Sequence, residues 1–260
     1  MTTPQPGRVY LVGAGPGDPE LLTLKAVRLM MAADVVLHDD LVPAAVLEHA
    51  QEQALIMNVG KRCGHKNVTQ EQINAKLVEF ARRGLSVVRL KSGDPLVFGR
   101  AGEEMDALTT AGIEFEIVPG ITAAFAAAAA LKTSLTDRRA ASSVTFTSGH
   151  HAPGSSELPA STNGATRVIY MPGRDLHAIA GQLRGEGLPA DLPCVVISHA
   201  AQPDQQIQRT TLAELGQVVP GPAPNILLAG EALRAVSDAA LAGTALPAAE
   251  NDAAQTEVFL

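Results

Sequence analysis

Cysteine is scarce. Cys63 and Cys194 are the only two in 260 residues and lie far apart, so no disulfide framework can be built from them. Long hydrophobic runs are missing too: the longest predominantly apolar stretch, 121–131, has 11 residues, against the roughly 20 needed to cross a bilayer. No basic-then-apolar leader opens the chain, which predicts a cytoplasmic protein with reduced thiols and no membrane partner. The acceptor triplet Asn67-Val68-Thr69 then has no glycosylation to serve. Positive charge is in short supply, with 20 Lys and Arg against 27 Asp and Glu, and the net charge of −7 argues against bulk nucleic-acid binding. His150 and His151 are adjacent and lack zinc-site spacing, so no metal is expected. Cys63 reads as a bystander thiol despite its basic neighbours. What the chain does have is 46% apolar residues, enough to build one large core or two ordinary ones.

The charge is unevenly distributed. Between Lys61 and Arg100 stand nine basic residues (Lys61, Arg62, Lys66, Lys76, Arg82, Arg83, Arg89, Lys91, Arg100) and three acidic ones (Glu71, Glu79, Asp94). No lysine follows Lys132. Lys76, Arg82 and Arg83 read as solvated helix charges. The surplus as a whole reads either as more of the same or as a local site for an anionic small molecule.

Apolar periodicity alternates between strand and helix. Strands are predicted at 8–12, 33–37, 55–59, 85–90 and 115–118, with helices at 21–32, 69–82 and around Glu103–Leu108 between them. Thr69 with Gln72 has the form of a capping box. After Pro119-Gly120 the pattern restarts with an alanine-rich helix over 122–131. Strands follow at 143–147, 167–170, 194–198 and 225–228, with helices near 176–184 and 211–215, and a turn-rich loop over 152–165. The expectation is an α/β protein of two halves, 8–119 and 120–245, with a tail at 246–260 that carries no element.

Gly13-Ala14-Gly15-Pro16-Gly17-Asp18 follows the first strand and invites a dinucleotide-binding reading. Asp18 would repel a pyrophosphate, and Pro16 lacks the N–H that a phosphate cradle uses, so a loop offering carbonyls to a cationic or neutral ligand fits better. Polar residues also gather after the other strands of the first half: Asp39 and Asp40, then Lys61, Arg62 and His65, then Ser92, Gly93 and Asp94. Ligand sites of open α/β sheets lie beyond the carboxyl ends of the strands.

These residues resemble a known family. The run from Val9-Tyr10-Leu11-Val12-Gly13-Ala14-Gly15-Pro16-Gly17-Asp18-Pro19 through Leu22-Thr23-Leu24-Lys25-Ala26 is similar to the opening signature of the tetrapyrrole methylases. Further agreement comes from Gly60-Lys61-Arg62 with Gln70-Glu71, Val88-Arg89-Leu90-Lys91 with Gly93-Asp94-Pro95 and Phe98-Gly99-Arg100, Val118-Pro119-Gly120-Ile121-Thr122-Ala123-Ala124, and Ser148-Gly149-His150.

The resemblance implies two α/β domains flanking a cleft, a homodimer, and S-adenosylmethionine as methyl donor. It implies C-methylation of uroporphyrinogen III at C2 and C7, or action on a later corrinoid intermediate; a non-catalytic donor or tetrapyrrole binder is the alternative of a different class. It places donor contacts at Pro16, Ser92, Gly93, Asp94, Val97, Thr122, Ala123, Met171 and Ala200. Asp39 falls on a proton-accepting position and Lys61 on a proton-donating one. For a tetrapyrrole rich in carboxylates, Arg62, Lys66, Arg100, Arg138 and Arg139 are the candidate clamps, because guanidinium forks match carboxylate geometry. The chain departs from the family pattern at His38, Ser92, Asp137 and Ser198, where a tyrosine, a glycine, a histidine and a glutamate are usual.

Overall fold

The structure is a computed structural model and describes residues 7–60, 68–149 and 164–234. The first half is a five-stranded, wholly parallel sheet. Its strands are β1 (Val9–Gly13), β2 (Val35–His38), β3 (Leu55–Asn58), β4 (Val87–Lys91) and β5 (Phe115–Val118), in the order β3-β2-β4-β1-β5. Helices α1 (Leu24–Met30) and α2 (Ala44–Leu47) cover one face, and α3 (Gln70–Arg82) and α4 (Ala101–Thr110) the other. Alternation along the strands decides which residues meet which helices. Val9, Leu11, Val35, Leu37 and Val87 pack on Leu77, Phe80 and Leu108, whereas Val12, Val36, Val88 and Leu90 pack on Met30 and Val46. The order places β1 beside both β4 and β5, so three carboxyl ends converge at one rim.

The second half begins with α5 (Ala123–Ala130) and continues through β6 (Ser143–Ser148), β7 (Ala165–Tyr170), α6 (His177–Gly185), β8 (Pro193–Ser198), β9 (Gln206–Thr211) and β10 (Asn225–Ala229). The sheet order is β6-β7-β10-β8-β9, parallel only between β6 and β7. Val168, Val195, Ile197, Ile226 and Leu228 pack against α5, and Ile169, Val196 and Leu227 against α6. Cys194 is buried there, and desolvation pushes its thiol up to about 12.

Two sequence expectations need correction. The helix expected over 21–32 is broken: Asp18 caps a separate 3₁₀ turn at Pro19–Leu21, and Thr23 then starts α1 by accepting from the Ala26 N–H at 3.1 Å. Leu24, expected on the apolar face, is 90% exposed. Near 211–215 there is no α-helix but strand β9 followed by a 3₁₀ turn at Leu215–Gln217. β9 is an edge strand with mostly polar residues, so it offers no apolar run to read. The capping box at Thr69 is present with both of its bonds.

Candidate active site

The rim where β1, β4 and β5 end is held by backbone contact. A Cβ on Gly13 would sit 2.5 Å from the Gly120 Cα, and one on Gly120 would sit 2.2 Å from the Gly93 oxygen, so only glycines allow the three turns to close on each other. Gly15 and Gly93 exchange two backbone bonds, at 3.1 and 2.7 Å, which join the first loop to the turn after β4. The Asp94 carboxylate continues the stitching: Oδ1 accepts from Leu96 N at 2.8 Å and Oδ2 from Gly120 N at 3.0 Å. Gly93 itself has φ +68°, and a Cβ there would meet only the Thr122 Cα, at 3.8 Å, so its outer face is left open to a ligand.

That open face borders a cavity of about 220 Å³ between the two sheets. All nine residues expected to contact a donor line it: Pro16, Ser92, Gly93, Asp94, Val97, Thr122, Ala123, Met171 and Ala200. Asp39, at the end of β2, lines it as well. Lys61, Arg62 and Lys66 lie outside the described residues. The other three expected clamps are not in the cavity wall. Arg100 is exposed and forms a two-pronged pair with Glu103, both bonds at 2.7 Å. Arg139 is exposed and grips Asp137, and that side-chain bond holds Asp137 down at about 2. Arg138 is exposed.

The sequence reading missed most of the opposite wall. Tyr170, Ile197, Gln202, Pro224, Asn225 and Ile226 line it there, and Phe98 joins them from the turn after β4. Tyr170 is its centre: its ring lies 5.0 Å from Phe98 and 5.7 Å from Phe146, and its hydroxyl pairs with Thr122 Oγ1 at 2.6 Å. Burial pushes its phenol up from the ordinary value. Phe98 and Met171 both adopt left-handed backbone, at φ 53° and 49°, which non-glycine residues seldom hold outside constrained sites. Gln202 Nε2 donates to the Pro16 carbonyl at 3.1 Å and so ties the first loop to the second half. His199 pins the next loop, with Nε2 donating to the Ala223 carbonyl at 2.5 Å and Nδ1 facing Asp204 at 2.5 Å. The one available signal for Tyr170 was its place beside Met171 in the sequence.

The electrostatics run against the expected basic site. Among the described residues lining the cavity none is Lys, Arg or His, and the charged ones are Asp39 and Asp94. Two members of the basic stretch, Arg89 and Lys91, are buried behind that wall at 2% exposure and are not available to an external anion. Arg89 bonds Asp39 and Glu104, and Lys91 bonds both oxygens of Glu104 at 2.9 and 3.0 Å. Burial works against the Arg89 charge, but Asp39 and Glu104 together outweigh it and raise its pKa. For Lys91, burial and the neighbouring Arg89 outweigh Glu104, and its pKa is lowered.

A larger depression of about 880 Å³ follows α3 and α4, where Glu79 and Asp106 stand with Arg82 and Arg83. It is an open groove that shares no residue with the cavity between the sheets. The described residues contain no group of His, Cys, Asp and Glu able to hold a metal. No described helix is long and apolar enough to cross a membrane.

Residues 8–216 match the family model of the tetrapyrrole (corrin/porphyrin) methylases. The chain is 49% identical over 215 residues to the chloroplastic S-adenosyl-L-methionine-dependent uroporphyrinogen III methyltransferase of Arabidopsis thaliana, covering 81% of this chain and 58% of that one. It is 44% identical over 242 residues to the uroporphyrinogen-III C-methyltransferase of Paracoccus denitrificans, covering 90% and 84%. The solved uroporphyrin-III C-methyltransferase of Thermus thermophilus, complexed with S-adenosylhomocysteine, superposes with a TM-score of 0.75 at 39% identity, covering 88% of this chain and 99% of that one. Against several other curated relatives the chain spans about half their length, 50% in each case. With four-fifths of its length inside the family model and such identities on both sides, the chain belongs to the tetrapyrrole (corrin/porphyrin) methylases.

Proposed function

We propose that this chain is an S-adenosylmethionine-dependent C-methyltransferase that methylates uroporphyrinogen III at C2 and C7 to give precorrin-2. The observation that carries the reading is the convergence of Pro16, Ser92–Asp94, Thr122–Ala123, Met171 and Ala200, drawn from both halves, on one cavity that has no cationic side chain among the described residues. A sulfonium is a cation, and a pocket with two carboxylates, a tyrosine and open glycine backbone favours it over a phosphate or a carboxylate. Bound there, the donor supplies a methyl group on a sulfur that departs neutral, so no acid is needed at the leaving group.

The residues of the chain then have distinct tasks. Gly93 lets backbone approach the donor closely, and Thr122, Met171 and Ala200 close around it from the second half. Asp39 has one oxygen engaged by Arg89; the other serves the cavity, where it opposes positive charge developing on an alkylated pyrrole and accepts the proton that the ring sheds. Lys61 is assigned the proton-donating role. Holding the pyrrole carbon in line supplies most of the acceleration.

Among the described residues the cavity wall offers an octacarboxylate no counter-charge, so we place its carboxylates at the mouth and outside it. There Arg62, Lys66, Arg100, Arg138 and Arg139 are the clamps, with Arg100 exchanging Glu103 for substrate. The functional unit is a cytoplasmic homodimer, and within each chain the two halves, 8–119 and 120–245, meet near Pro119-Gly120.

Anaerobic incubation with uroporphyrinogen III and S-adenosylmethionine, followed by mass analysis, tests the reading. Two added methyl groups are expected. Donor binding without transfer would point instead to a silent binder.

A further inference from the structure

Behind the cavity wall lies a closed set of four charges. Arg89, on β4, runs along the face covered by α3 and α4. Its Nε donates to Glu104 Oε1 at 2.9 Å, its Nη1 to the Leu90 carbonyl at 3.2 Å, and its Nη2 to Asp39 Oδ1. Glu104, on α4, is the hub: it also accepts from Lys91 at 2.9 and 3.0 Å and from Gln70 Nε2 at 3.3 Å. Side-chain exposures are 3% for Arg89, 2% for Lys91 and 0% for Glu104, but 30% for Asp39. Only one of the four reaches the cavity.

Ion pairs this deep contribute little net stability, because desolvation offsets their attraction and apolar residues of similar volume do as well. Their arrangement is informative in another way. Two cations and two anions balance only while Asp39 is a carboxylate; protonating it would leave a buried guanidinium in excess. Glu104 alone would anchor Arg89 but also repel a second carboxylate, and Lys91 cancels that repulsion. Each member therefore has a function relative to Asp39, although removing any one of them also leaves an uncompensated buried charge.

We propose that Arg89 is the positioning residue for Asp39, fixing one carboxylate oxygen so that the other faces the reacting ring, with Glu104 as its anchor and Lys91 as the compensating charge. The inference rests on the assignment of Asp39 to the reaction. Among the described residues, the charged and titratable groups around Asp39 are Arg89 and Lys91 from β4, Glu104 from α4, Asp94 on the same wall of the cavity, and its neighbours His38 and Asp40.

The test compares Arg89→Gln, Arg89→Lys and Asp39→Asn with the parent chain. Turnover is measured over a range of substrate concentrations and S-adenosylhomocysteine affinity by calorimetry. For Arg89→Gln, kcat is expected to fall by about ten- to a hundredfold while KM stays within about twofold. S-adenosylhomocysteine affinity should hold. Arg89→Lys keeps the charge without the fork, so it should recover part of the lost kcat.

If Arg89→Gln does not fold, a lowered kcat in Arg89→Lys at unchanged KM and S-adenosylhomocysteine affinity decides the matter. A loss carried by KM or by S-adenosylhomocysteine affinity, with kcat kept, would overturn the positioning role and leave Asp39 in place. Parent-like turnover in Asp39→Asn would overturn both.

Discussion

The two walls of the cavity are built on different principles. The wall from the parallel sheet carries the charge: Asp39 and Asp94 at the surface, and Arg89, Lys91 and Glu104 behind it. Almost every polar atom there is committed to a partner, as the bonds of Asp94 to Leu96 and Gly120 show. The wall from the mixed sheet is neutral. It offers Tyr170, Met171, Ile197, Ala200 and Ile226, with Met171 held in left-handed backbone. The difference assigns chemistry to one half and shape to the other, and it follows from topology. Parallel strands deliver all their carboxyl ends to one rim, where loops can concentrate polar groups. A mixed sheet sends its ends both ways and meets the cavity through side chains near one end of its strands.

Substitutions in the two walls should separate these contributions. The largest effect belongs to Asp39→Asn, which removes the charge and leaves the shape. The expected loss in kcat is about 10²- to 10⁴-fold, with S-adenosylhomocysteine affinity kept, measured by turnover and calorimetry. Next comes Gly120→Ala at the junction itself, where the added methyl meets the Gly93 oxygen at 2.2 Å. It should destabilise the fold by roughly 1–3 kcal/mol and loosen the donor site, read by thermal melting and calorimetry.

Tyr170→Phe touches only the neutral wall. Losing the Thr122 pair should weaken donor binding by about 1 kcal/mol, roughly fivefold, while kcat at saturating donor is retained. If kcat fell as much as in Asp39→Asn, the division between walls would fail.

The exposed arginines come last. Arg100→Ala should raise substrate KM a few-fold and leave donor affinity alone; its present pair with Glu103 is half-exposed and contributes about 0–1 kcal/mol. At the far side of the second half, Cys194 sets a pH limit. Its thiol is raised by burial from 9.0 to about 12, so the stability carried by the protonated form is fully present below about 9 and is lost as pH rises toward about 12. Alkylation at neutral pH should therefore leave Cys194 unmodified until the protein is denatured.

The cavity residues Pro16, Asp39 and Ser92–Asp94 were legible because they follow strands, where position along the chain already means position at the rim; Val97, Thr122, Ala123, Met171 and Ala200 were legible through the family resemblance. Arg89 and Lys91 were misread for a physical reason. Cations at alternate positions of a strand look like a solvent face, and the residue that neutralises them, Glu104, comes from a helix whose own pattern says nothing about β4. The same limit hid β9, a polar edge strand, and the aromatic wall, where Phe98 and Tyr170 meet only in the fold. Local pattern finds the elements and the rim; long-range pairing decides which charges are inside.

The most direct test is a crystal structure with S-adenosylhomocysteine bound. The account predicts the ligand in the cavity between Gly93, Thr122, Met171 and Ala200, with its sulfur toward Asp39 and no arginine or lysine against it. Density for the ligand in the groove along α3 and α4, or its sulfur turned away from Asp39, would contradict it.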